Sequence, residues 1–100
     1  MVTYLMLLNW TDQGIKNVKD SPKRLDAVKK LAKDMGGEVK AFYLTMGPYD
    51  TVAVLTLPDD ETMAALALSL GASGNVRTVT MRAFPEPEYR EILRGVKIAT

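Results

Sequence analysis

The order in which apolar segments and turn residues alternate most constrains the fold of this 100-residue chain. Four short segments have the length and apolar character of strands, at residues 2–10, 38–45, 50–57 and 76–84. Two longer segments, one after the first strand and one after the third, have apolar residues at helical spacing. The predicted order is therefore strand, helix, strand, strand, helix, strand.

The ends of the two helices are marked by residues with known capping roles. Ser21 followed by Pro22 predicts the start of the first helix, because Ser caps a helix N-terminus and Pro suits its first turn. The glycine pair 36–37 predicts that it ends in a left-handed C-cap. The acidic segment 58–62 predicts the start of the second helix, since carboxylates are favourable at the positive end of a helix dipole. Glycines within 71–75 predict its end.

This order of elements, with right-handed crossovers, is that of a ferredoxin-like βαββαβ fold of the α+β class. It predicts a four-stranded antiparallel sheet with both helices on one face. Residues 1–84 supply all six elements and form one predicted domain, which is as much as a chain of this length can hold. Residues 85–100 form a C-terminal extension, in which 88–94 predicts a short helix.

The predicted strands are apolar on both faces, although helices cover only one face of the sheet in this fold. Alternation sets Tyr4, Met6, Leu8 and Trp10 against Leu5 and Leu7; Ala53, Leu55 and Leu57 against Val52 and Val54; and Val76 and Phe84 against Val79, Met81 and Ala83. At roughly 25 cal/mol per Å², such a face is worth many kcal/mol when covered. We therefore predict a homodimer or higher homo-oligomer, packed sheet against sheet with a filled or partly hollow space between.

The chain contains neither Cys nor His, which narrows the chemistry open to it. This composition excludes disulfide frameworks, Cys-rich zinc sites, thiol nucleophiles, Ser-His triads and histidine-ligated haem. Acid–base chemistry would depend on Asp, Glu, Lys or Tyr. The consecutive acids 59–61 do not converge on one point, so we predict neither a metal site nor a cofactor.

The charge balance argues against two classes of partner. Lys and Arg total 13 and Asp and Glu total 12, so no overall field favours nucleic acid or an anionic membrane. No apolar run approaches the roughly 20 residues of a membrane helix, and the first residues do not resemble a signal peptide. We expect a cytoplasmic protein whose partner is itself, with a small molecule as a possible ligand.

Several fragments together resemble the GYD family of small bacterial and archaeal proteins. They are Leu8-Asn9-Trp10-Thr11-Asp12-Gln13-Gly14, Lys19-Asp20-Ser21-Pro22-Lys23-Arg24, Gly47-Pro48-Tyr49-Asp50, Pro58-Asp59-Asp60 and Gly74-Asn75-Val76-Arg77-Thr78. The family is named for a Gly-Tyr-Asp motif, which Gly47, Tyr49 and Asp50 would supply here, with Pro48 as a departure from a strict tripeptide. The resemblance spans residues 2–84. It implies a dimeric α/β-barrel fold and a function that is largely uncharacterised.

Six residues are candidates for a ligand pocket, while Gly47 and Pro48 are interpreted as turn residues. The six are Asn9, Trp10, Tyr43, Tyr49, Asp50 and Arg82. Asp50 has two interpretations, an acceptor of main-chain N–H groups at a turn and a ligand or base group in a pocket. Trp10 is more typical of a core, and Arg82 suits either a carboxylate partner or an anionic ligand.

These observations leave two main hypotheses for function. The first is a non-enzymatic protein that binds a small molecule or acts in assembly. The alternative is a cofactor-independent enzyme, monooxygenase- or isomerase-like, acting on a small aromatic or unsaturated substrate between the sheets; it rests on analogy with superfamily relatives. A regulatory effector-binding module is a third. A cavity of roughly 300 Å³ would favour the ligand hypotheses, and a filled space would weaken them.

Overall fold

A computed structural model describes residues 1–99 and confirms the predicted ferredoxin-like fold. Its strands are β1 (Val2–Trp10), β2 (Glu38–Leu44), β3 (Thr51–Leu57) and β4 (Val76–Ala83). Its helices are α1 (Asp12–Lys16), α2 (Ser21–Asp34), α3 (Asp60–Ala72) and α4 (Glu86–Leu93), and a 3₁₀ turn (Val18–Asp20) precedes α2. The sheet has the order β2-β3-β1-β4, and every pairing in it is antiparallel.

Local hydrogen bonds explain where the helices begin and end. The N–H of Gly14 donates to Thr11 Oγ1 at 3.1 Å, which caps α1. At the end of α2, Gly36 has a φ of 90° and Gly37 donates to the Ala32 carbonyl at 2.8 Å, so the predicted left-handed cap is confirmed. Ser21 differs from its predicted capping role, because the 3₁₀ turn leads directly into α2 and Ser21 is already helical.

The hydrophobic core lies between one face of the sheet and helices α2 and α3. Leu55, Leu57 and Leu66 are almost fully buried there, and Ala32 of α2 is fully buried with them. Tyr4 and Met6 of the central strand β1 lie in the same cluster. Both long helices therefore cover one face, which leaves the other face of the sheet without cover from them.

The C-terminal segment extends away from this core. Helix α4 begins at Glu86, two residues before its predicted start, because Pro87 fits the first turn of a helix. Every residue from Phe84 to Ala99 is exposed, and the molecule measures 56 × 31 × 19 Å. Among residues 1–99, no helix is long and apolar enough to cross a membrane.

Candidate functional site

The face of the sheet opposite the helices is a continuous apolar surface, which we call the open face. Its register pairs Leu5 with Val54 and Met81, and Leu7 with Val52 and Val79, so these side chains adjoin one another. Ala41, Tyr43 and Ala83 extend it towards the two edges of the sheet. Val79 and Met81 are 47% and 43% exposed, and Tyr43 is 61% exposed. The sequence prediction that both faces are apolar is confirmed by this register.

A hydrogen-bonded clamp closes one end of β1 and β3, where two of the candidate residues meet. The Trp10 N–H donates to Asp50 Oδ2 at 2.9 Å. The Asp50 N–H donates to the Leu8 carbonyl at 2.9 Å and to Asn9 Oδ1 at 3.1 Å. These side-chain oxygens therefore serve main-chain donors on the neighbouring strand rather than the residues of their own turn.

The loop between β2 and β3 holds the Gly-Pro-Tyr part of the motif. The Thr45 N–H donates to the Asp50 carbonyl at 2.9 Å, and Thr45 Oγ1 donates to the Tyr49 carbonyl at 2.6 Å. Gly47 has a φ of 145°, a conformation that side chains disfavour, so its place before Pro48 is explained by backbone geometry. Tyr49 is half-buried beside this loop.

Trp10 lies on the opposite face, at a cavity of about 100 Å³ between the sheet and helix α2. The walls are mainly apolar, with Met6, Leu8 and Phe42 among them, and Arg24 stands at its polar side. Arg24 is engaged, since its guanidinium donates to the Asn17 carbonyl at 3.0 Å and the Gly14 carbonyl at 3.3 Å. This volume is well below the roughly 300 Å³ expected of a pocket for a drug-sized ligand.

Arg82 lies in a third location, a shallow cleft of about 280 Å³ beside α3. Its guanidinium carbon stands 4.6 Å from the centre of the Phe84 ring. Tyr4, which also lines the cleft, donates from its hydroxyl to Asp60 Oδ1 at 2.6 Å. Burial of the Tyr4 phenol, together with this bond to a carboxylate, raises the pKa of Tyr4 from 10.0 to about 12.

The six candidate residues thus occupy separate surroundings. Asn9 and Asp50 meet in the clamp, with Tyr49 in the adjoining loop, whereas Tyr43 lies on the open face and Trp10 and Arg82 lie on the helix side. Sequence analysis missed the bond between Tyr4 and Asp60, which are 56 residues apart. No local pattern marks such a pair.

The clamp and the open face differ in what they leave available. One oxygen of the Asp50 carboxylate and the side-chain oxygen of Asn9 each accept a main-chain N–H. Within residues 1–99, no group of three or more His, Cys, Asp or Glu side chains is placed to hold a metal ion. The open face is an apolar surface that the long helices leave uncovered, and apolar faces of this kind are typical of interaction sites.

Comparison with known proteins identifies relatives over most of the chain. A family model described as the GYD domain matches residues 4–93, which includes helix α4. A Thermus thermophilus protein named "Glutamine synthetase and cystathionine beta-lyase binding protein" is 37% identical over 86 residues, covering 85% of this chain and 90% of its own length.

Solved structures support the fold. The crystal structure of TTHA0845 from Thermus thermophilus matches with a TM-score of 0.53 at 26% identity, covering 85% of this chain and 95% of that one. A feast or famine regulatory protein from M. tuberculosis, solved with L-methionine, matches with a TM-score of 0.65 at 16% identity. The match covers 85% of this chain and 51% of that regulator, so this likeness concerns the fold alone.

Proposed function

Since this chain belongs to the GYD family, we propose that it is a non-catalytic protein-binding module that assembles as a homodimer through the open face. The observation that carries the proposal is the continuous apolar pairing of Leu5 and Leu7 with Val52, Val54, Val79 and Met81. A cytoplasmic location, as expected from the sequence, belongs to the proposal.

An apolar sheet face that stays uncovered is unfavourable in water. Single exposed apolar residues are ordinary, but a contiguous patch rimmed by polar residues is typical of an interface. Glu38 and Arg77 lie at the rim of the open face, on its two edge strands. Two such faces stacked about 10 Å apart would interdigitate as the inner faces of a β-sandwich do. The same face on each copy makes the contact self-complementary, as a two-fold dimer requires.

The name of the Thermus thermophilus relative supports the binding part of the proposal. That Thermus thermophilus protein is named for binding two enzymes, and it aligns with 85% of this chain. We extend this to the present chain and propose that its homodimer binds glutamine synthetase or cystathionine beta-lyase of its own cell. The enzyme hypothesis would use the polar groups of Asn9, Tyr43, Tyr49 and Asp50. It has less support, because the side-chain oxygens of Asp50 and Asn9 accept main-chain N–H groups.

Sedimentation equilibrium of matched variants tests the self-association. The wild-type chain is expected to be a dimer at micromolar concentration. Met81→Glu places a charge on the open face and should shift the protein to monomer, with its circular dichroism unchanged. Leu68→Glu is the matched control, because Leu68 is 75% exposed on α3, on the helix side of the sheet. A monomeric wild-type chain, or equal effects of both variants, would contradict the proposal.

A second experiment tests the choice of partner. The purified chain is immobilised and exposed to purified glutamine synthetase and cystathionine beta-lyase from the same source, with bovine serum albumin as the negative protein. We expect saturable binding of at least one enzyme by biolayer interferometry. Absence of binding to both at roughly 10–100 µM, the weak end of ordinary protein affinities, would refute the partner assignment and leave the dimer untouched.

A further inference from the structure

The segment after β4, residues 85–99, forms an arm with an apolar stripe that no other part of residues 1–99 covers. Tyr89, Ile92, Leu93 and Val96 share one side of the arm, and each is 47–57% exposed. Two ion pairs form within the arm, Arg90 with Glu86 at 2.7 Å and Arg94 with Glu91 at 3.0 Å. Much of the charge on the arm is thus paired locally, whereas its apolar stripe lacks a contact surface among residues 1–99.

A second exposed apolar patch lies at the end of the β2–β3 hairpin. Tyr43 and Met46 are 61% and 100% exposed. Tyr43 lies on the open face, whereas its neighbour Leu44 pairs with Thr51 and faces the helix side. Residues 41–49 contain no charged side chain. Edge strands are normally protected from association by charges, bulges or a covering element, and this end of β2 has no charge to protect it. We call Tyr43 and Met46 the hairpin patch.

The arm and the hairpin patch stand at diagonally opposite corners of the sheet. The arm leaves β4 beyond Ala83, which pairs with Thr3 at the start of β1. The hairpin patch adjoins the pair Leu44–Thr51, at the other end of the strands. β4 and β2 are the two edge strands. From the spacing of strands and residues, the corners are roughly 20–25 Å apart, whereas the eight residues of α4 span about 12 Å.

Two-fold symmetry resolves this arrangement when two sheets pack with their strands near 90°, one of the two common angles for stacked sheets. Consider a two-fold axis that lies midway between the two sheets and runs along the diagonal joining the other two corners. Rotation about this axis places the arm corner of one copy opposite the hairpin-patch corner of the other. Each arm is then carried to the hairpin patch of the other copy, and both contacts form at once. The arm therefore finds on a second copy the surface that it does not reach on its own.

We propose that the arm of each subunit docks its stripe on the hairpin patch of the partner subunit. The inference rests on the proposed homodimer and specifies its geometry. A standard interface buries about 800 Å² on each partner. Leu5, Leu7, Val52 and Val54 are already half-buried, so the open face alone has limited area to contribute and the docked arm would add to it. The stripe and the patch supply six side chains that are 47–100% exposed.

Disulfide trapping between two different variants tests the contact directly, because the chain has no native Cys. One preparation carries Ile92→Cys and the other Tyr43→Cys; they are mixed, allowed to exchange subunits and oxidised mildly. We expect a covalent heterodimer in non-reducing electrophoresis. Glu91→Cys, on the opposite side of α4, and Leu44→Cys, on the helix side of β2, are the matched controls for Ile92→Cys and Tyr43→Cys, and we expect at least tenfold less product with either.

Dimer affinity provides the second measurement. Leu93→Lys should raise the dimer dissociation constant at least tenfold, while Glu91→Lys, which introduces the same residue on the opposite side of the helix, should change it less than twofold. A dimeric wild-type chain with no selective crosslink and equal constants for both variants overturns the docking and leaves the proposed function standing. Such a result would assign the arm to a different protein. A monomeric wild-type chain overturns both.

Discussion

The carboxylate of Asp50 accepts a hydrogen bond from the main-chain N–H of Trp10 at 2.9 Å, across 40 residues of sequence. The ladder between β1 and β3 ends at the pair Leu8–Thr51, so this N–H lies beyond the reach of ordinary strand pairing. Asp50 thus continues the pairing of β1 and β3 with its side chain. Asp50, the acid of the motif, therefore takes the place of a main-chain carbonyl as the acceptor for this N–H.

Asp50→Ala should destabilise the protein by about 1–3 kcal/mol, because the half-buried Trp10 N–H loses its acceptor. Asp50→Asn keeps an oxygen that can accept and should cost about 1 kcal/mol or less. Urea unfolding, followed by the fluorescence of Trp10, measures both. Asp26→Ala, at an exposed position of α2, is the control and should stay within about 0.5 kcal/mol of wild type. Equal stability of Asp50→Ala and wild type would show that the clamp is dispensable.

Two glycine substitutions should change stability in opposite directions. Gly47 has a φ of 145° with open space around it, so Gly47→Ala meets only backbone strain and should cost about 1 kcal/mol. Gly71 is helical in α3, and an added Cβ meets no atom within 4 Å. Gly71→Ala should therefore stabilise by about 0.5–1 kcal/mol. The thermal unfolding midpoints of the two variants, measured against wild type, test these predictions. Shifts of both midpoints in the same direction would refute them.

The raised pKa of Tyr4 predicts a loss of stability in alkali. Its pKa is about 12 in the folded chain and 10.0 when unperturbed, so the folded state holds the phenolic proton more tightly. The stabilisation is therefore complete below pH 10 and is lost as the pH rises from 10 to 12. Urea unfolding of wild type and Tyr4→Phe at pH 8, 10 and 11 isolates this effect.

At pH 8 the Tyr4→Phe variant should be less stable by about 1–2 kcal/mol, since it loses a hydrogen bond to a carboxylate. The difference from wild type should narrow above pH 10. Tyr89→Phe, at an exposed position of α4, should change neither the stability nor its pH dependence. A difference from wild type that stays constant up to pH 11 would contradict the assigned proton affinity.

The sequence predicts the elements of this fold because single residues mark where the helices begin and end. The 36–37 glycine pair and the acidic segment 58–62 mark helix boundaries that the structure places at the same residues. Alternation along β1 also assigns Trp10 to the face of Tyr4 and Met6, and the structure places it there, beside a helix-side cavity. Because Trp10 lies on the helix side, the same alternation indicates that it does not face a pocket between two sheets.

The sequence does not predict contacts that join distant segments. The bulge between Val39 and Ala41 adds one residue to β2, which changes the face on which the following side chains lie. The clamp between Asn9 and Asp50 likewise depends on the register of β1 and β3, to which a single sequence offers no guide. Fold is specified by local patterns in this chain, whereas the candidate site is specified by register.

Thr80→Val should stabilise the protein by about 1 kcal/mol. Thr80 lies opposite Met6 in β4, on the helix side, and its Oγ1 is buried without a hydrogen-bond partner among residues 1–99. A buried hydroxyl without a partner loses its hydration without compensation, and Val has nearly the same shape. Thr62→Val is the matched control, because Thr62 Oγ1 donates to Asp59 Oδ1 at 2.6 Å, and its loss should destabilise α3. Urea unfolding of both variants is decisive, since destabilisation by Thr80→Val would mean that this hydroxyl makes a bond that contributes to the native state.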